Sequence, residues 1–267
     1  AEQHDDGKLK EDERFSVQYA LLRRDLIDTA LRIRTHFQNT DARLLKSEQA
    51  FSITLSTAFG DIELVGKIDR IDAVDGYFRV VDYKSSDTKF KLNDLAAGTA
   101  LQLPVYIEAA RQMLQDTGMR PAGGYYMKIG ASYGEDEKET LKNGRMQGIS
   151  LKDLSVLSRF SDTLSDSAFA AIDQRTTSKG NLYSNARLFT EEELGELLDY
   201  TQRLVCEAAE RIYSGDNSIC PVNGVCGYCD YKSVCRMNTL YAGNALRTPP
   251  RFIREQLNGG ANGEAEE

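Results

Sequence analysis

The sequence predicts an α/β domain built on one mixed sheet. Two observations carry this: β-rich runs with period-two patterning between residues 48 and 84, and helical periodicity on either side of them. Residues 16–38 come first. Val17, Ala20, Leu21, Ile27, Leu31 and Ile33 recur among arginines at helical spacing, which predicts a long helix. Residues 48–57, beginning Glu48-Gln49-Ala50-Phe51, predict a strand. Residues 61–72 and 77–84 predict two more, joined by the turn signal Val74-Asp75-Gly76-Tyr77. An apolar helix is expected over about 100–116, ended by Gly118, then a strand over 123–129. Thr190 followed by Glu191-Glu192-Glu193 reads as an N-cap with an acidic first turn, opening a helix to about residue 213.

Between these elements the stretch 130–188 is polar and weakly periodic. It is expected to be an insertion with one helix near 151–172 and a loop at 175–180. Residues 1–14 are expected to be a flexible end, 15–240 the domain proper, and 241–267 a tail with a disordered glycine-rich, acidic close. No internal repeat is visible.

Composition narrows the function classes. At 267 residues, 41% hydrophobic and 28% charged, the chain fits one globular domain with a subdomain at most. No apolar run reaches the length of a membrane span and no signal-peptide pattern occurs, so no membrane association is expected. No glycine-rich phosphate loop ending in lysine and serine or threonine appears, so an ATPase motor is not expected here. Five cysteines, clustered late, point to a metal rather than disulfides, in a reducing cytosol. The formal net charge of −8 is unfavourable for binding nucleic acid. It is concentrated at the ends, with local basic groups at Lys84, Lys89 and Lys91 and at Arg247, Arg251 and Arg254.

Asp69, Asp82 and Lys84 form the first chemical constellation. The hairpin sets their strands side by side, and alternation puts Asp82 and Lys84 on one face. Two carboxylates turned to one place repel unless a cation lies between them. Oxygen donors suit a hard divalent ion, Mg²⁺ or Mn²⁺. A lysine beside it can orient a water for attack on a phosphodiester. The alternative is a surface hairpin with solvated charges.

Gln102 and Tyr106, four apart, share one face of the helix that follows. Together the runs Gly66-Lys67-Ile68-Asp69-Arg70-Ile71-Asp72, Asp82-Tyr83-Lys84 and Gln102 to Tyr106 resemble the GxxDRxD, DYK and QxxxY motifs of the RecB-like branch of the PD-(D/E)xK nucleases. The resemblance covers roughly residues 48–236. It implies a restriction-endonuclease-like core, a central mixed sheet flanked by helices. It implies Asp69 and Asp82 as metal ligands, the Tyr83 carbonyl as a further one, and Lys84 as the catalytic lysine. Gln102 and Tyr106 would line the site and contact DNA. Glu48 stands where some relatives carry an acidic residue near the metal.

Cys226, Cys229 and Cys235 follow the pattern C-x2-C-x5-C. Thiolates so close can wrap one soft metal centre, though zinc or an iron–sulfur cluster needs four ligands. The run resembles the C-terminal cluster motif of AddB-type helicase–nuclease subunits and of Cas4 nucleases. In those families three late cysteines join one early cysteine around a 4Fe-4S cluster. The length of the gap before the cysteines favours the AddB type. No cysteine precedes Cys206, and neither His4 nor His36 has the glycine setting of the family's early metal-binding histidine. The chain is therefore expected to be a C-terminal piece of a larger protein, with an incomplete cluster. Cys220 and Cys206 are possible stand-ins, Cys206 lying in an apolar helical stripe. His36 is expected to be a helix-end residue.

The implied function is a metal-dependent DNA exonuclease domain acting on double-strand ends for recombinational repair, with an AddA-type protein as its partner. A DNA-end-binding scaffold with an incomplete centre and a stand-alone Cas4-like nuclease are the alternatives.

Overall fold

The computed structural model describes residues 13–86, 88–130, 135, 145–160, 187–241, 244–248 and 251–252. The expected loop at 175–180, most of the expected helix over 151–172, His4, Arg254 and the glycine-rich close lie outside them.

The chain opens with α1, Glu13–Asn39. Strands β1, Arg43–Thr57, and β2, Gly60–Val74, form a long antiparallel hairpin, and β3, Tyr77–Lys84, returns antiparallel beside β2. The turn between β2 and β3 places Asp75 at φ 30° and Gly76 at φ 75°. This left-handed pair is what an Asp-Gly hairpin turn supplies. A short helix α2, Leu92–Ala96, and then α3, Gln102–Met113, cross to β4, Arg120–Lys128, which pairs parallel to β3. Strand β5, Gln147–Leu151, runs antiparallel to β4, α4 spans Leu154–Arg159, and β6, Leu188–Phe189, closes the sheet. Helix α5 spans Glu191–Tyr213, and α6 Lys232–Cys235. The six strands lie in chain order in one mixed sheet.

Burial divides β2 in two. From Gly60 to Lys67 it alternates, because only β1 flanks it and one face meets solvent. From Ile68 on it is nearly continuously buried, as is β3, because helices cover both faces. On one face Ile68, Ile71, Phe78 and Val80 pack against Leu103, Ile107 and Ala110 of α3 and Leu194, Leu197 and Leu198 of α5. On the other, Val81, Tyr125 and Met127 meet Ile33 of α1.

Helix α3 lies close to the sheet at Gly124. A Cβ there would stand 2.8 Å from Ile107 Cδ1 and 2.9 Å from Val80 Cγ2, so only glycine admits the approach. The Thr190 cap is a full capping box, with Glu193 N donating to Thr190 Oγ1 and Thr190 N donating to the Glu193 carboxylate.

Two expectations differ from the structure. Strand β1 begins at Arg43 rather than 48, with a bulge between Leu44 and Lys46. The stretch 130–188 contributes β5 to the sheet, and the helix near 151 is the short α4. β5 is buried on both faces apart from its first residue, which removes the alternation that marks a strand in sequence.

Candidate active site

The site forms where β2 and β3 part. Their ladder runs from Val74↔Tyr77 to Arg70↔Val81. Beyond it the Asp69 side chain takes over: the Tyr83 amide donates to Asp69 Oδ2 at 2.8 Å. One carboxylate oxygen thus accepts a strand N–H and leaves the other for a ligand.

Asp82 and Lys84 lie on the α3 face of β3, as alternation requires. Lys84 Nζ stands 2.7 Å from Asp82 Oδ2. Gln102 opens α3 and bridges the pair: its Oε1 accepts from Lys84 Nζ at 2.8 Å, and its Nε2 donates to Asp82 Oδ1 at 3.0 Å. One helical turn on, the Tyr106 hydroxyl accepts from Gln102 Nε2 at 3.0 Å. The Tyr106 ring is held edge-on by Phe51 of β1 at 5.7 Å, and Lys84 Nζ lies 5.1 Å from the ring centre of Tyr126. Asp82, Lys84, Gln102 and Tyr106, predicted from two separate motifs, therefore share one hydrogen-bonded network. Asp69, from a third motif, joins it through the Tyr83 backbone.

The electrostatics fit a cation site. Burial pushes the Asp82 carboxyl up, Lys84 partly offsets this, and the Asp69 charge adds to the rise. Burial, with Asp82 and Tyr106 nearby, pushes the Tyr126 hydroxyl up to about 12, so it stays protonated. Asp82 is 4% exposed, and its charge is answered by Lys84 and Gln102. Two carboxylates with hard oxygen donors suit a divalent ion that completes its shell with water. The residues present fit such an ion.

Glu48 sits on β1 between the pairs Ser47↔Arg70 and Gln49↔Ile68, hence across from Asp69. It holds φ 50°, uncommon for a residue with a Cβ, and makes an ion pair with Lys67. His36 is no ligand here. It is 2% exposed in the last turn of α1, and its Nε2 meets Arg79 Nη2. Burial, then Arg79 and Arg70, push it down to about 2, so it is neutral.

The cysteines lie apart from this site. Cys226 is in a 3-10 turn, Val225–Tyr228, Cys229 follows it, and Cys235 ends α6. All five thiols are free, Cys229 and Cys235 exposed. Cys206 Sγ reaches the Ser56 carbonyl, and the Cys220 carbonyl accepts from Arg247. No group of three His, Cys, Asp or Glu side chains converges in a metal-binding arrangement among the described residues. The three late cysteines therefore show no cluster geometry, and the chemistry below does not run through one.

Sequence reasoning missed a buried charge network beneath the site, made of Arg70, Asp72, Arg79 and His36. Its signal was present: charged residues interrupting a run buried on both faces.

Comparison with known proteins agrees with this geometry. The family profile described as "PD-(D/E)XK nuclease superfamily" matches residues 2–236. Curated relatives are each named as the B-type subunit of an "ATP-dependent helicase/deoxyribonuclease". One from Caldanaerobacter subterraneus subsp. tengcongensis is 30% identical over 267 residues, covering 90% of this chain and 23% of its own length. One from Clostridium perfringens strain SM101 is 28% identical, covering 96% and 25%. One from Thermoanaerobacter sp. strain X514 is 29% identical, covering 73% and 18%. The chain thus spans a quarter or less of the length of these relatives. With the profile matched across both acidic strands and the helix that bridges them, the chain belongs to the PD-(D/E)XK nuclease superfamily.

Proposed function

We propose that this chain is the nuclease domain of a longer helicase–nuclease subunit and hydrolyses phosphodiesters of linear DNA with Mg²⁺ or Mn²⁺. The observation that carries the reading is the Asp82–Lys84–Gln102 network set beside Asp69 at the parting of β2 and β3.

Asp69 and Asp82 would hold the cation, with the Tyr83 carbonyl as a third oxygen. When bound, it polarises the phosphodiester and stabilises the charge that develops in an in-line displacement. Lys84 is now paired with Asp82. Once that carboxylate turns to a cation, the ammonium is still held by Gln102 Oε1 and the face of Tyr126. There it orients the attacking water and donates to a phosphate oxygen. Gln102 fixes Lys84 and Asp82 together, and Tyr106 fixes Gln102.

The relatives' shared name supports an ATP-dependent assembly in which a second protein, of the AddA type, supplies a motor. Exposed Lys89 and Lys91 beyond β3 offer phosphate contacts that a net charge of −8 does not exclude. Cys226, Cys229 and Cys235 would complete a 4Fe-4S cluster only with a cysteine from elsewhere in such a protein. One observation favours a second reading, a DNA-end scaffold: among the described residues no third acidic, histidine or cysteine side chain joins Asp69 and Asp82.

The test offers this chain end-labelled linear DNA and closed circular DNA with Mg²⁺ or Mn²⁺. Cleavage of linear DNA alone, abolished in Asp82→Ala, supports the exonuclease. Binding without cleavage supports the scaffold. Cleavage within closed circles contradicts end-directed action.

A further inference from the structure

The face of the sheet turned away from the site carries charged groups that hydrolysis does not use. Arg70, Asp72, Arg79 and Tyr83 alternate with Asp69, Asp82 and Lys84 and so lie toward α1. Arg70 and Arg79 are 3% and 2% exposed, and Asp72 is wholly buried. Asp72 is shared: its Oδ1 is 3.1 Å from Arg70 Nε, and its Oδ2 accepts from Arg79 Nε and Nη2 at 3.1 and 3.0 Å. At one end of the network Arg79 meets His36 of α1. At the other, Arg70 Nη1 donates to the Tyr83 hydroxyl at 2.7 Å, with its guanidinium carbon 5.4 Å from the centre of the Tyr83 ring and 5.6 Å from that of Phe37.

Two guanidiniums buried against one carboxylate are a poor source of stability, because desolvating them offsets the attraction. What the arrangement does provide is a fixed position for Tyr83. That residue is held at both ends: its hydroxyl by Arg70, its amide by Asp69 Oδ2 at 2.8 Å. On the β2 side the ladder has already ended at Arg70↔Val81. These two bonds therefore tie the 82–84 segment to β2. Lysine could not replace Arg70, because one planar fork meets Asp72 and Tyr83 while its face lies against two rings.

We propose that Arg70 is a positioning residue. Through Tyr83, and from the back of the sheet, it sets the separation of the Asp69 and Asp82 carboxylates. The proposal rests on reading those two carboxylates as the cation-holding pair.

The test compares this chain with Tyr83→Phe, which removes one hydroxyl and keeps the ring, and with Arg70→Lys. Amide hydrogen exchange is read at residues 82–84 and, as an internal reference, at Val80 and Val81. Mn²⁺ affinity is read by paramagnetic resonance. Tyr83→Phe should speed exchange of the residue-83 amide and weaken Mn²⁺ binding, each about tenfold, with Val80 and Val81 unchanged. Exchange at residue 83 within about twofold of the parent overturns the proposal, and so does a rise matched at Val80 and Val81. The exchange arm needs no metal. If exchange rises selectively but the parent chain binds no Mn²⁺, the positioning role stands and the hydrolytic reading falls. If the parent binds Mn²⁺ and neither variant changes exchange or affinity, the positioning role falls and the hydrolytic reading stands.

Discussion

Gln102 Nε2 donates to Asp82 Oδ1 at 3.0 Å while Gln102 Oε1 accepts from Lys84 Nζ at 2.8 Å, so one amide holds both members of an ion pair from the start of a helix. The bridge fixes the amide's orientation, since only an oxygen toward Lys84 and a nitrogen toward Asp82 satisfies both. It also links helix α3 to the acidic strand end, and its loss has a readable consequence.

Gln102→Ala removes the bridge and leaves the Tyr106 hydroxyl without its donor. Cleavage of linear DNA with Mn²⁺ should fall roughly 10–100-fold, mainly in kcat, because Lys84 loses its fixed position. Gln102 is half-buried at a helix start, so the melting midpoint should move little. A change confined to KM would contradict a role in holding Lys84.

Asp82→Asn keeps the shape and removes a charge that burial already disfavours. Stability should change by less than about 1 kcal/mol, since the lost ion pair is offset by the easier burial of a neutral amide. Cleavage should fall at least about 10²-fold. Parallel melting and cleavage measurements separate the two effects.

His36 gives a pH signature. Its folded value lies at about 2, far below the ordinary 6.5, from burial and from Arg79 and Arg70. The unfolded chain therefore binds a proton that the folded chain does not, in the window between those values. Stability should be full above about pH 6.5 and fall as the medium is acidified, by up to about 1.4 kcal/mol per pH unit from this group. Melting midpoints across pH 4.5–8 check this, and His36→Gln, neutral throughout, should flatten the slope. An unchanged slope in that variant would place the acid sensitivity elsewhere.

Gly124→Ala should cost about 1–3 kcal/mol, because the added methyl meets Ile107 and Val80 in a packed layer. Moving Ile107 shifts the helix that begins with Gln102, so cleavage should fall further than the loss of folded protein explains. Chemical denaturation and specific activity on the same sample test this.

The site was legible because its residues stand in short local patterns. Alternation placed Asp82 and Lys84 on one face, and a four-residue helical step placed Tyr106 over Gln102. The Asp75-Gly76 turn fixed the pairing of the strands that carry Asp69 and Asp82. What stayed hidden was contact across the sheet. Arg70, Asp72 and Arg79 read as charges on strands, and only the covering helix α1 turns them into one buried network with His36. The stripe of α1 was read correctly as helical but not as to burial: Leu21, Ile27 and Leu31 are exposed, and Thr29 and His36 are the buried positions. Strand β5 was missed because burial on both faces removes alternation.

The most direct test of the account is Mn²⁺ binding to this chain and to its Asp69→Asn and Asp82→Asn variants, followed by paramagnetic resonance in the absence of DNA. The account predicts saturable binding in the parent and a loss of about tenfold or more in affinity in each variant. Binding of equal strength in all three proteins would contradict it, because the two carboxylates would then not be the groups that hold the ion.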